Sequence, residues 1–99
     1  MEASLTFQDF TQQLNTKFQI PVNESQRVEL ELAEISELKK TSRNEEFAIV
    51  FRGPKEAFLG QGMRPLEHDQ LGKFDLFIVP IREDEKGYYY QAVFNRFLE

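Results

Sequence analysis

From Thr16 onward, apolar side chains recur at every second residue in one segment after another, and this period limits what the chain can fold into. Alternation with a period of two is the pattern of a β-strand that buries one of its faces. Short polar or glycine-containing stretches, typical of hairpin turns, separate the alternating segments. The sequence therefore predicts a mainly β domain with an antiparallel sheet of five to six strands.

Six segments carry the strand pattern: residues 16–22, 26–38, 46–52, 65–70, 73–81 and 88–97. The alternation changes phase between Leu32 and Ile35, which predicts a β-bulge near Ala33 and Glu34. Bulges bend a strand, so we expect a bent sheet that forms either a small barrel or a two-layer sandwich, with connections short enough for a meander. The polar stretch between the second and third strands is expected to be a solvated hairpin loop.

The first fourteen residues carry the signature of a helix instead. Thr6 can cap its start, and Asp9, three residues later, can complete a capping box. Phe7, Phe10 and Leu14 recur at helical spacing and form one apolar stripe. We expect this N-terminal helix to plug an open end of the sheet or to cover one of its faces.

The last two strands form a predicted hairpin that is apolar on both faces. Phe74 and Ile78 alternate with Phe77 and Val79 along its first strand. One face belongs to the core, and the other must be covered by the helix, a second sheet layer or another chain. The sequence favours the helix as this cover, and we predict that any interface with a protein partner or a second copy is formed by Phe74, Phe77, Val79 and Tyr89.

The three consecutive tyrosines that open the last strand could stack bases or sugars in an exposed groove. Strand alternation divides them between two faces, however. We expect Tyr88 and Tyr90 to pack in the core and Tyr89 to lie exposed at the rim.

Length and charge narrow the class of protein further. The chain has 99 residues, including ten phenylalanines and three tyrosines, which suffice for one modest core, and we interpret residues 1–99 as a single domain. Its 12 basic and 17 acidic residues give a net charge of −5, which disfavours nucleic acid as a partner. No segment has the pattern of a secretory signal or a membrane-spanning helix, so we expect no membrane association and a cytoplasmic location.

His68, the one histidine, is the natural starting point in a search for catalytic chemistry. In an extended strand, the carboxylates of Glu67 and Asp69 point away from its imidazole. We expect a partly buried histidine hydrogen-bonded to a backbone carbonyl, with a metal ligand or a general base as alternatives. The chain has no cysteine, phosphate-binding loop or nucleophile elbow. We predict no catalytic residue, no metal site and no cofactor, and hence no enzyme.

The sequence resembles a small bacterial family of uncharacterised function in five motifs: Phe51-Arg-Gly-Pro54, Leu66-Glu-His68, Leu71-Gly72, Leu76-Phe-Ile-Val-Pro80 and Tyr90-Gln-Ala-Val-Phe-Asn95. Members of that family are often encoded beside phage-tail-collar proteins of the microcystin-dependent type. The resemblance implies an accessory of a phage-tail-like or fibre assembly and implies no activity. We therefore expect a non-enzymatic structural or interaction protein. A small β-barrel that binds an apolar small molecule is the alternative, because the chain is rich in phenylalanine.

Overall fold

In the computed structural model, which describes residues 5–97, one short helix precedes seven β-strands. The elements are α1 (Phe7–Thr11), β1 (Lys17–Pro21), β2 (Arg27–Ile35), β3 (Lys39–Lys40), β4 (Asn44–Gly53), β5 (Gly62–His68), β6 (Gly72–Asp84) and β7 (Gly87–Phe97). The predicted mainly β fold with an N-terminal helix is confirmed. Residues 1–4 of the predicted helix lie outside the described part of the chain.

Six of the strands close into an antiparallel barrel in the order β1, β2, β4, β7, β6, β5 and back to β1. The predicted bulge is present, because the register of β2 against β4 shifts between Leu32 and Glu34. This bend lets β2 pair with β1 along its first half and with β4 along its second. The choice that sequence analysis left open is thus settled in favour of a closed barrel.

Two connections differ from the expected ones. The strand β4 has both of its edges paired, to β2 and to β7, so β5 cannot follow beside it. Residues 54–61 therefore cross one end of the barrel, and the expected simple meander is wrong at this point. The expected solvated loop before β4 also contains a short strand, because Lys39 and Lys40 pair with Glu46 and Glu45.

Side chains fill the inside of the barrel. Phe18 and Phe51 meet edge to face across it, with ring centroids 5.1 Å apart. The largest fully buried side chains are Tyr90, Phe10, Phe18, Phe51, Ile20, Leu30, Leu32, Ile49, Leu66 and Ile78. An apolar ligand on the barrel axis would have to displace these side chains, as expected for a barrel of few strands.

The helix α1 plugs one end of the barrel. Thr6 caps it with the predicted capping box: the Asp9 amide donates to the Thr6 hydroxyl at 3.1 Å, and the Thr6 amide donates to the Asp9 carboxylate at 2.9 Å. Phe10 is fully buried, with its ring 5.1 Å from that of Phe94 and 6.2 Å from that of Phe74. The apolar stripe of the helix is thus part of the core.

The connection between β4 and β5 covers the other end of the barrel. Leu59 is buried there, and its amide donates to the hydroxyl of Tyr90 at 2.9 Å. Burial raises the pKa of the Tyr90 phenol, an effect that this hydrogen bond partly offsets. The crossing segment is therefore attached to the core both by a buried apolar side chain and by a hydrogen bond.

The strands β6 and β7 separate at the end that α1 plugs. Their pairing runs from Val79 and Gln91 to the turn. Within residues 5–97, the first half of β6 pairs with β5 alone, and the second half of β7 pairs with β4 alone. Phe10 packs against an aromatic ring from each of these separated halves, so the helix fills the opening between them.

Candidate interaction surface

The hairpin of β6 and β7 divides the predicted interface residues between two sides of the barrel wall. Phe74 faces inward, where its ring lies 6.2 Å from those of Phe10 and Phe18. Phe77 has the opposite orientation and is 48% exposed, and the half-buried Val79 lies on the same outer side. Phe74 therefore belongs to the core, while Phe77 and Val79 face outward.

Tyr89 also lies on the outer side, yet it is only 5% exposed, so the expected rim exposure is wrong. The guanidinium of Arg82 lies 4.2 Å from the centre of the Tyr89 ring and covers it. The same guanidinium donates to the carboxylate of Glu34 at 2.6 Å. The Tyr89 hydroxyl donates to Asp84 at 2.9 Å. Alternation could not reveal this burial, because the cover is a long side chain from the neighbouring strand.

Four outward-facing apolar residues form what we call the outer patch: Met63, Phe77, Val79 and Val93. Met63 is the cross-strand partner of Phe77, and the two are 64% and 48% exposed. Val93, which is 59% exposed, lies two residues from the partner of Val79 and so faces the same side. The centre of the patch is thus the paired Met63 and Phe77, and Val93 lies at its edge, beyond the last pair between β6 and β7.

Two residues of the outer patch were missed as interface candidates. Val93 lies in a predicted strand and alternates there with the buried Ala92 and the partly buried Phe94, so it faces outward. Met63 fell in the predicted loop before the fourth strand, whereas β5 begins at Gly62. The register of β5 against β6 that brings Met63 beside Phe77 is a long-range property of the fold.

Ion pairs lie on other parts of the described outer surface, in contrast to the outer patch. The ion pairs are Lys17–Glu29 at 3.8 Å, Arg27–Glu67 at 3.0 Å, Arg52–Glu31 at 2.7 Å, Arg82–Glu34 at 2.6 Å and Arg96–Glu45 at 2.8 Å. All but the last involve a residue of β2, which stands opposite β6 in the strand order. Exposed pairs of this kind add little stability, but they keep that side of the barrel hydrated.

His68 makes structural contacts with both of its ring nitrogens. Its Nδ1 accepts from the amides of Gln70 and Leu71, at 3.0 and 3.2 Å, and its Nε2 lies 2.9 Å from the hydroxyl of Thr16. The partners at Nδ1 are amides, not the expected carbonyl, because the turn after β5 folds its N–H groups back onto the ring. The histidine does share the inner side of β5 with Leu66, as predicted.

In the described chain, the ring of His68 is hydrogen-bonded to Thr16, Gln70 and Leu71 and to neither carboxylate beside it in sequence. Glu67 faces outward and binds Arg27 at 3.0 Å. Within residues 5–97, no group of three or more His, Asp or Glu side chains is placed to share a metal ion. In the same part of the chain, no helix is long and apolar enough to cross a membrane.

Together, these features define a small closed β-barrel domain with a packed interior, a helical plug and one apolar outer face. The chain belongs to a family described as domain of unknown function DUF6916, whose model matches residues 5–94. This agrees with the predicted membership of an uncharacterised family. No curated protein and no solved structure is significantly similar to the sequence.

Proposed function

We propose that this domain is a non-enzymatic structural protein that binds another protein through the outer patch. The observation that carries the proposal is the contrast between the two sides of the barrel. Aromatic and aliphatic side chains are exposed on β5, β6 and β7, while three ion pairs lie on β2 and the strands around it. Apolar side chains that cluster within a polar rim are typical of protein contacts.

The engagement of the polar side chains supports a non-enzymatic function. Both nitrogens of His68 are used in contacts within the fold, and the Glu67 carboxylate is paired with Arg27. A general base needs a free nitrogen or oxygen directed at a substrate. These groups are instead used to hold the hairpin turn and the barrel wall.

The neighbouring protein that we propose is a component of a phage-tail-like or fibre assembly. The support is the resemblance of the five sequence motifs to a family often encoded beside phage-tail-collar proteins. The shape of the domain is compatible with this use, because a small barrel with a packed interior offers its outside, and not a cavity, for binding. The alternative function, binding of an apolar small molecule, gains no support from an interior filled by Phe18, Phe51 and Tyr90.

Phe77→Glu is the direct test of this function. Because Phe77 is 48% exposed, the variant is expected to stay folded, with a melting temperature within a few degrees of the wild type. A buried charge in the contact would be strongly unfavourable, so binding of a co-expressed phage-tail-collar protein of the microcystin-dependent type should be lost. Circular dichroism and co-purification of that defined pair measure the two effects, and light scattering measures the mass of the isolated chain.

The matched control is Phe58→Glu, which changes a phenylalanine of similar exposure, 58%, in the connection between β4 and β5. This variant should bind as the wild type does, because Phe58 lies outside the outer patch. Binding that survives Phe77→Glu, or that both variants abolish equally, would contradict the proposal. A wild-type mass above the monomer that falls in Phe77→Glu would instead identify a second copy as the partner.

A further inference from the structure

A chain of hydrogen bonds links His68 to the end of the N-terminal helix. Because Nδ1 accepts from the amides of Gln70 and Leu71, it carries no proton, and the proton of the neutral ring is on Nε2. Nε2 therefore donates to the hydroxyl of Thr16 at 2.9 Å. That hydroxyl donates in turn to the backbone carbonyl of Gln13 at 2.7 Å. Every donor in this chain has one acceptor.

The same residues attach the helix to the turn between β5 and β6. Gln13 follows the C-cap of α1, is only 8% exposed, and donates through Nε2 to the side chain of Gln70 at 3.0 Å. The ring of His68 also packs on Phe18, with centroids 4.3 Å apart. One turn of the helix away, Phe10 fills the opening between β6 and β7. These polar contacts attach the helix α1, which otherwise packs on the barrel through apolar side chains.

We propose that His68 is a proton-sensitive latch that holds α1 in the end of the barrel. A proton on Nδ1 would face the N–H groups of Gln70 and Leu71, which are both donors. The imidazolium ring would have to turn away from them, and the contact with Thr16 would then be lost as well. Protonation therefore weakens the attachment of the helix and favours opening of the plugged end.

The direction of the pH dependence follows from the environment of the ring. Burial lowers the pKa of His68 from its ordinary value of 6.5, and the charge of Asp69 opposes part of this shift. In the open state the ring is solvated and binds protons more readily than in the closed state. The latch is thus fully effective above about pH 6.5 and is lost as the pH falls through the lowered pKa of the closed state.

Other charged groups surround the latch from each neighbouring strand. They are Lys17 of β1, Glu29 of β2, Glu67 of β5, Asp69 of the turn and Lys73 of β6. A pH response that persists after His68 is replaced would come from these neighbouring groups. The comparison between pH 7.5 and 5.5 is therefore made both in the wild type and in a variant that lacks the histidine.

Amide hydrogen exchange of α1 measures the opening. The amides of Phe10, Gln12 and Gln13 donate within the helical segment, at 3.2, 3.1 and 2.9 Å, and exchange when it opens. After correction for intrinsic rates, their opening constant should rise about fivefold from pH 7.5 to 5.5, roughly the equivalent of one hydrogen bond. The amides of Ile49 and Phe51 in β4 report global unfolding and should not follow this change.

The variant His68→Asn removes the titrating group. An asparagine oxygen can accept from the same turn amides, so the turn is kept without a group that titrates in this range. In this variant the opening constant should be independent of pH. An equal rise in wild type and variant, or no rise in the wild type, would overturn the proposal.

The variant Thr16→Val breaks the chain on the other side of the imidazole, and it decides the matter even if His68→Asn does not fold. Valine keeps the shape of threonine but offers no hydroxyl to His68 or to the Gln13 carbonyl. The helix amides should then exchange faster at pH 7.5 and respond less to acidification. A pH response as large as that of the wild type would show that the histidine does not act on the helix through Thr16.

Discussion

Replacing Gly87 with alanine is expected to lower the free energy of unfolding by more than about 3 kcal/mol. A Cβ atom at this position would lie 1.9 Å from the carbonyl oxygen of Gly53, which belongs to the backbone of the paired strand β4. Neither atom can move without shifting a strand of the barrel. The backbone at Gly87 also has φ +148, a conformation that side chains rarely adopt. Urea denaturation followed by circular dichroism measures the change.

Gly62→Ala is the matched control for this prediction. Gly62 has a similar φ, +157, but a Cβ atom there would meet nothing within 4 Å. Its replacement therefore reports the backbone cost alone, which should be about 1 to 2 kcal/mol. Equal losses in the two variants would mean that the strands move apart without cost and that the close approach of Gly53 does not constrain the barrel.

The contact between these two glycines illustrates what sequence can and cannot predict here. Gly87 ends a charged turn segment, which is typical of a glycine with positive φ, so its conformation was predictable from local pattern. Its approach to Gly53 depends on the pairing of β4 with β7, which brings together residues distant in the chain. Features with local causes, such as the capping box at Thr6 and the bulge after Leu32, were predicted for the same reason.

The candidate interaction surface was likewise predictable only where its features have local causes. The outward phase of Phe77 and Val79 follows from alternation within one strand. Alternation does not show which of the two faces points outward. Phe74 belongs to the core because it packs on Phe10, which is distant in the chain. The burial of Tyr89 and the crossing of residues 54–61 over the barrel end likewise depend on which strands are neighbours. A single sequence carries little information on that choice.

Phe10→Ala is expected to destabilise the domain by about 3 to 4 kcal/mol, the usual cost of removing a fully buried phenylalanine ring. The ring contacts Phe47, Phe74 and Phe94, which come from β4, β6 and β7. Since no ladder joins the separated halves of β6 and β7 in the described chain, this ring is a main link between them. The surrounding strands cannot close the cavity without forming new pairs, so little of the loss should be recovered.

The control for Phe10→Ala is Phe97→Ala, which removes a ring that is 86% exposed and should change the free energy of unfolding by less than about 0.5 kcal/mol. Chemical denaturation of both variants distinguishes a helix that closes the barrel end from a helix that is only loosely attached. A loss below about 0.5 kcal/mol for Phe10→Ala would show that α1 does not hold the barrel end closed. A loss of the expected size, together with stronger binding of a fluorescent dye to exposed apolar surface, would show that the helix stabilises this end of the barrel. The strands β6 and β7 do not pair with each other there.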